Sequence, residues 1–144
     1  MVSTIDKFVI YTTLERKVTN LQNYNPSKRK LNKQKGDLGE TIAKKYLISN
    51  HYNIIKTKYR TTTGEIDIIA KDGEYIVFIE VKYRTKITFM YPMQAVNFIK
   101  QTKIKQVATQ FIQQYDMSDN YFRFDVIEVL GNTFNINHIR NAFY

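Results

Sequence analysis

Cysteine is absent from this chain of 144 residues, so it can form neither disulfides nor thiolate zinc sites. Histidine occurs twice, at His51 and His138, which are too far apart in sequence to suggest a histidine-rich metal centre. No apolar run approaches the roughly 20 residues needed to span a bilayer. Residues 1–11 lack a basic stretch followed by an uninterrupted apolar one, so a secretory signal is not expected. Acids are also scarce, 13 against 22 bases, giving a net charge of +9. The length suits one domain with a single substantial core, and the default reading is a soluble, cytoplasmic protein with no membrane role.

The basic excess points to a polyanionic partner. It is unevenly spread. Residues 1–35 hold eight bases and two acids, while the rest of the chain holds fourteen and eleven. Residues 1–33 read as a basic N-terminal extension, part linker and part disordered tail, and 34–144 as the domain proper.

The few acids are placed unusually. The stretch from Gly64 to Lys82 (GEIDIIAKDGEYIVFIEVK) reads as two apolar strands joined at Asp72-Gly73, a strong hairpin signal. Asp67 interrupts three isoleucines, and Glu80 and Lys82 bracket Val81. With a two-residue loop at Asp72-Gly73, Lys71 pairs with Glu74 and Asp67 sits opposite Phe78. Asp67 then shares a face with Glu80 and Lys82, diagonal to Glu80. A slip of one residue would turn Asp67 to the other face. Neighbouring carboxylates repel, and oxygen ligands of this kind suit Mg²⁺ (or Mn²⁺), which can activate water and stabilise charge at a phosphate. The alternative is a surface hairpin whose polar face carries these residues into solvent.

A helix is predicted from Asp37 to about Asn50, with Leu38, Ile42, Ala43, Tyr46 and Leu47 as its apolar stripe. Glu40 at the edge of that stripe is either a third acid delivered to the hairpin or the partner of Asp37 in a capping box. Gly39, unfavourable in a helix by about 1 kcal/mol against alanine, hints at close backbone approach. His51 is expected to be a cap or surface residue. Residues 51–60 form the first strand. After the hairpin, a long helix runs from near Pro92 to about Tyr115, burying Val96, Ile99, Val107, Ala108, Phe111, Ile112 and Tyr115. Tyr121 to Leu130 is a fourth strand with Arg123 and Asp125 on one face, and Thr133 to Ile139 a short last one. Arg60, Arg84 and Lys86 flank the acidic face, and Lys100 and Lys103 lie on the second helix.

Three segments, Lys35-Gly36-Asp37-Leu38-Gly39-Glu40, Gly64-Glu65-Ile66-Asp67-Ile68-Ile69-Ala70 and Val77-Phe78-Ile79-Glu80-Val81-Lys82-Tyr83-Arg84, occur in order at characteristic intervals. Together with Pro92 to Val96, Lys100 and Arg123 to Ile127, they resemble the PD-(D/E)XK nuclease superfamily. More narrowly, they resemble the YraN-type bacterial family, which is similar to archaeal Holliday-junction resolvases. The resemblance covers about residues 34–130. It implies an α/β fold with a restriction-endonuclease-like core of order αβββαβ, a central mixed sheet of four to five strands flanked by helices. It also implies a Mg²⁺-dependent endonuclease acting on DNA, with branched or damaged structures as candidate substrates. By position, Glu40, Asp67 and Glu80 would be the metal-side acids and Lys82 the catalytic lysine. Arg60, Arg84, Lys86, Lys100 and Lys103 would hold the DNA backbone. Resolvase-like relatives act as two-fold dimers, which implies a homodimer here; Tyr121, Phe122, Phe143 and Tyr144 are candidates for its surface. The sequence departs from the family at Met90, where glycine is common, and at Tyr59, where tryptophan is common. The competing function is a nucleic-acid-binding module that keeps the nuclease fold with negligible catalysis.

Overall fold

The computed structural model describes residues 28–85 and 96–144. Its elements in chain order are α1 (Lys28–Ser49), β1 (Asn53–Arg60), β2 (Glu65–Asp72), β3 (Tyr75–Arg84), α2 (Phe98–Gln114), β4 (Tyr121–Leu130) and β5 (Ile136–Phe143). The expected order αβββαβ is present, with a fifth strand added at the end. The sheet runs β1-β2-β3-β4-β5. β3 and β4 are parallel and every other neighbouring pair antiparallel, so the sheet is mixed. It is an endonuclease-like α/β core with a helix on each face. Among the described residues no helix is long and apolar enough to cross a membrane.

Two apolar layers hold the sheet. On one face, Leu38, Ile42, Ala43 and Leu47 of α1 pack on Ile68, Ala70, Val77, Ile79, Ile127 and Val129. On the other, Ile104, Val107, Ala108 and Phe111 of α2 pack on Ile66, Ile69, Ile76, Phe78 and Val126. The central strands are covered on both sides, which is why β3 reads as a continuous apolar run.

Several expectations are corrected. α1 begins at Lys28, not Asp37. The polar run 28–35, read as linker, is therefore helical; lysine, arginine and glutamine are good helix formers. Asp37 then lies mid-helix, and the capping box does not form. α1 ends instead in a Schellman turn: His51 takes φ 66°, its N–H is 3.1 Å from the Ile48 carbonyl, and the Tyr52 N–H is 3.0 Å from that of Leu47. α2 begins at Phe98 behind an Asn97 cap, the side chain accepting the Lys100 N–H at 2.9 Å. Ile99 and Tyr115, assigned to the buried stripe, are exposed, and Ile104 is buried instead. The last strand lies at Ile136–Phe143, further on than expected. Phe143 is buried against Phe124, which takes it off any surface. Pro92, Lys86 and Met90 lie outside the described residues.

One polar cluster sits inside the α1-side layer. Asp125, fully buried, accepts from Arg123 Nε at 2.9 Å and from the Asn141 N–H at 2.9 Å, and lies 2.8 Å from His138 Nε2. Arg123 also donates to Asp72 and to the Tyr52 hydroxyl. Burial by itself would raise the Asp125 carboxyl, but His138, Arg123 and the Asn141 amide outweigh it and hold it below the usual carboxylate value. The cluster ties β4 to β5 and to the end of the β2–β3 hairpin. Truncation at Asp125 removes one of the two carboxylates that hold Arg123 and leaves His138 Nε2 and the Asn141 N–H without their buried acceptor. Asp125→Ala is expected to lower stability by about 3–5 kcal/mol, read as a shifted midpoint in denaturant unfolding.

Candidate active site

The β2–β3 hairpin turns one residue later than the sequence suggested. Asp72 pairs with Tyr75, so the loop is Gly73-Glu74, with Gly73 at φ 59° in the first loop position as a type II′ turn requires. Asp72 joins the ladder and pairs with Arg123. The partner of each β2 residue therefore moves by two rather than one. Along the paired residues each side chain keeps its expected face, and the ladder ends before it reaches Asp67 and Glu80.

At that point the strands part. The β2–β3 pairing runs from Asp72↔Tyr75 to Ile68↔Ile79 and stops. Beyond it, the Val81 N–H donates to Asp67 Oδ2 at 2.8 Å, so a side-chain carboxylate replaces the next rung. Ile66 and Ile69, three residues apart, both join the α2-side core, so the alternation of β2 is broken across Asp67 and Ile68. This irregularity brings Asp67 into the opening at the end of the sheet.

Glu80 is buried, 5% exposed. Lys82 Nζ donates to its Oε1 at 2.8 Å, and Lys100 Nζ from α2 stands 3.2 Å from its Oε2. The second contact is an ion pair without hydrogen-bond alignment, which leaves Oε2 buried with no hydrogen-bond partner. Burial first, and the Glu80 charge second, push the Asp67 carboxyl up to about 7; the Val81 amide only partly offsets them.

Glu40 arrives from α1. Gly39 makes this possible: a Cβ there would lie 3.2 Å from Tyr83 Cβ, so its absence lets α1 pass close over the end of β3. Burial raises the Glu40 carboxyl above its ordinary value, and Lys58 opposes that rise. Lys58 Nζ is 3.4 Å from Glu40 Oε2 and hydrogen-bonded to Asp37 Oδ1. Lys58 was not anticipated. It lies mid-strand yet takes φ 51°, and the β1–β2 pairing resumes on both sides of it. No residue pattern in NIIKTKYR signals a left-handed lysine. Asp37, Glu40, Lys44, Lys58 and Asp67 line one cleft of about 300 Å³.

The candidate backbone-binding residues are dispersed. Arg60 is exposed and paired with Glu65. Arg84 lies 3.5 Å from Glu128. Lys100 faces Glu80, and Lys103 is exposed on α2.

Among the described residues no three Asp, Glu, His or Cys side chains stand close enough to hold a metal ion by themselves. The Asp67–Glu80 pair nevertheless fits a hard divalent ion. Mg²⁺ takes one or two protein carboxylates and keeps several waters. Glu80 Oε2, buried without a hydrogen bond, and Asp67, whose carboxyl burial and the Glu80 charge drive up, are the donors such an ion would relieve.

The raised Asp67 value has a testable sign. The unfolded chain releases this proton near the ordinary 3.8, the folded chain near about 7. The resulting stabilisation is fully present below the lower value and is lost as pH rises through the upper one. In chelator, the protein is expected to be about 2–3 kcal/mol less stable at pH 8 than at pH 5. Asp67→Asn should remove most of that difference in denaturant unfolding. Asp72 and Asp125, both held low, act below this window.

Comparison with known proteins matches this sequence to a family. The profile of the Uncharacterised protein family UPF0102 matches residues 39–129. A UPF0102 protein of Clostridioides difficile is 48% identical over 112 residues, 78% of this chain and 98% of the relative. Others from Caldicellulosiruptor bescii and Clostridium tetani are 46% and 45% identical over 116 residues each, covering 98% and 95% of those relatives. By profile and by relatives matched along nearly their whole length, this chain belongs to the UPF0102 family, the YraN-type family that its three motif segments resemble.

Proposed function

We propose that this chain is a divalent-metal-dependent phosphodiesterase acting on DNA. The observation that carries the reading is the meeting of Asp67 and Glu80 where β2 and β3 part, with the Lys82 ammonium 2.8 Å from Glu80. Asp67 and Glu80 would hold Mg²⁺ or Mn²⁺, with Glu40 joining directly or through water. When bound, such an ion supplies an activated water and a counter-charge for the scissile phosphate. The protein's own groups do the rest. Lys82 orients the attacking water, and Lys100, already beside Glu80, balances charge at the phosphate. Arg60, Arg84, Lys86 and Lys103 would hold the backbone without reading bases. Branched or damaged DNA is the substrate class that the resolvase-like resemblance favours.

A second reading is a DNA-binding module of the same fold with negligible turnover. One observation favours it: Glu80 is already neutralised by two ammonium groups, Lys82 and Lys100. Calorimetric titration with Mg²⁺ is expected to show saturable binding that is lost in Asp67→Ala. Four-way junctions, flaps and plain duplex, incubated with Mg²⁺ or Mn²⁺, should be cleaved. Lys82→Ala should slow that cleavage by about 10²-fold or more. Salt-sensitive binding without cleavage would select the module, and Mg²⁺ binding indifferent to Asp67→Ala would remove the metal site.

A further inference from the structure

The helix that delivers Glu40 continues for three turns upstream of it, and that upstream half has a distinct composition. From Lys28 to Gly36 it carries Lys28, Arg29, Lys30, Lys33 and Lys35 and no acid. This half lies outside the family profile, which begins at residue 39. It is nonetheless one continuous 22-residue helix with the part that enters the site.

Helical spacing fixes where the charges fall. Lys30, Lys33, Asp37, Glu40 and Lys44 are separated by three, four, three and four residues, so they form a single stripe. Asp37, Glu40 and Lys44 of that stripe line the cleft beside Asp67. Lys30 and Lys33, both exposed, extend it away from the cleft. At about 1.5 Å per residue, Lys33 stands about 10 Å and Lys30 about 15 Å along the axis from Glu40. A nucleic-acid strand carries one phosphate per roughly 3.4 Å of duplex axis, so these lysines are spaced for phosphates about three and four nucleotides from the one at the acids.

We propose that the upstream half of α1 is a backbone rail, on which Lys30 and Lys33 grip the phosphates of a nucleic-acid strand a few nucleotides from the Asp67–Glu80 pair. The inference rests on the reading of that pair as the place where a phosphodiester lies, but its readout is binding rather than cleavage. The rail is sequence-independent, since phosphates carry no base information.

The test uses the full chain and fluorescent DNA duplexes in chelator, with affinity measured at several salt concentrations. Glutamine preserves helix propensity, so the double variant Lys30→Gln with Lys33→Gln keeps α1 intact. Each phosphate contact adds about 0.9 to the slope of log affinity against log salt, so the double variant should lower that slope by about 2. The control, Lys45→Gln with Lys71→Gln, makes the same charge change off the stripe and should leave the slope within experimental error. DNA cut back to about two nucleotides on the rail side should bind native and double-variant protein alike. An unchanged slope, an equal loss in the control, or an equal loss on the shortened DNA would overturn the rail, as would native protein that binds no DNA. Absence of cleavage alone would count against the phosphodiesterase reading and leave the binding result standing.

Discussion

The contact on which the site depends is the one between the Asp67 carboxylate and the Val81 backbone N–H. A strand amide that loses its ladder partner inside a protein must find another acceptor, because an orphaned donor is costly. Here the acceptor is a side chain, so the place where two strands separate is also the place where a carboxylate is anchored. The parting of β2 from β3, the broken alternation of β2 and the closeness of the Asp67 and Glu80 charges are facets of one local arrangement. The two helices then close it from opposite faces, α1 bringing Glu40 and α2 bringing Lys100.

The described residues include two buried acidic centres, around Asp125 and around Glu80 with Asp67, and their electrostatics differ in an instructive way. Asp125 accepts from Arg123 and from a backbone amide, with His138 at hydrogen-bonding distance, and its carboxyl is held low. Nothing is left over for a ligand, and its work is to join strands. Asp67 has one amide, a like charge opposite and burial, and its carboxyl is driven high. Glu80 beside it keeps a buried oxygen without a hydrogen bond despite two nearby lysines. Fully satisfied buried charge belongs to architecture, whereas under-satisfied charge in an opening is a mark of chemistry.

Much of this was legible in the residues. The apolar stripe of α1, the two-stranded run around Asp72-Gly73 and the face pairing of Arg123 with Asp125 all follow from periodicity, and the structure has them. Gly39 announced a close approach, which Tyr83 supplies. Other features depart from their local signals for identifiable reasons. The polar start of α1 has good helix formers but no apolar stripe, so it resembled a linker. Asp72-Gly73 is the strongest local turn signal, and it points to a turn one residue earlier than the one the strands make. Arg123 lies 51 positions away in sequence, and it is what draws Asp72 into the strand. Ile99 lies well round the helix from Ile104, Val107, Ala108 and Phe111, and in that first turn it is Lys100 that reaches the sheet, at Glu80.

The sequence alone determined which residues could carry the chemistry and in what order the elements come, because periodicity and the placing of charge in apolar runs are local properties. Strand alternation likewise sets Glu80 and Lys82, two residues apart on β3, on one face. Only the tertiary structure decided that Asp67 accepts the Val81 N–H next to Glu80, that Lys58 adopts a left-handed backbone to reach Asp37 and Glu40, and that Lys100 rather than solvent meets Glu80. Each of these depends on groups far apart in the chain being packed together, and burial and charge proximity have no signature in any short window of residues.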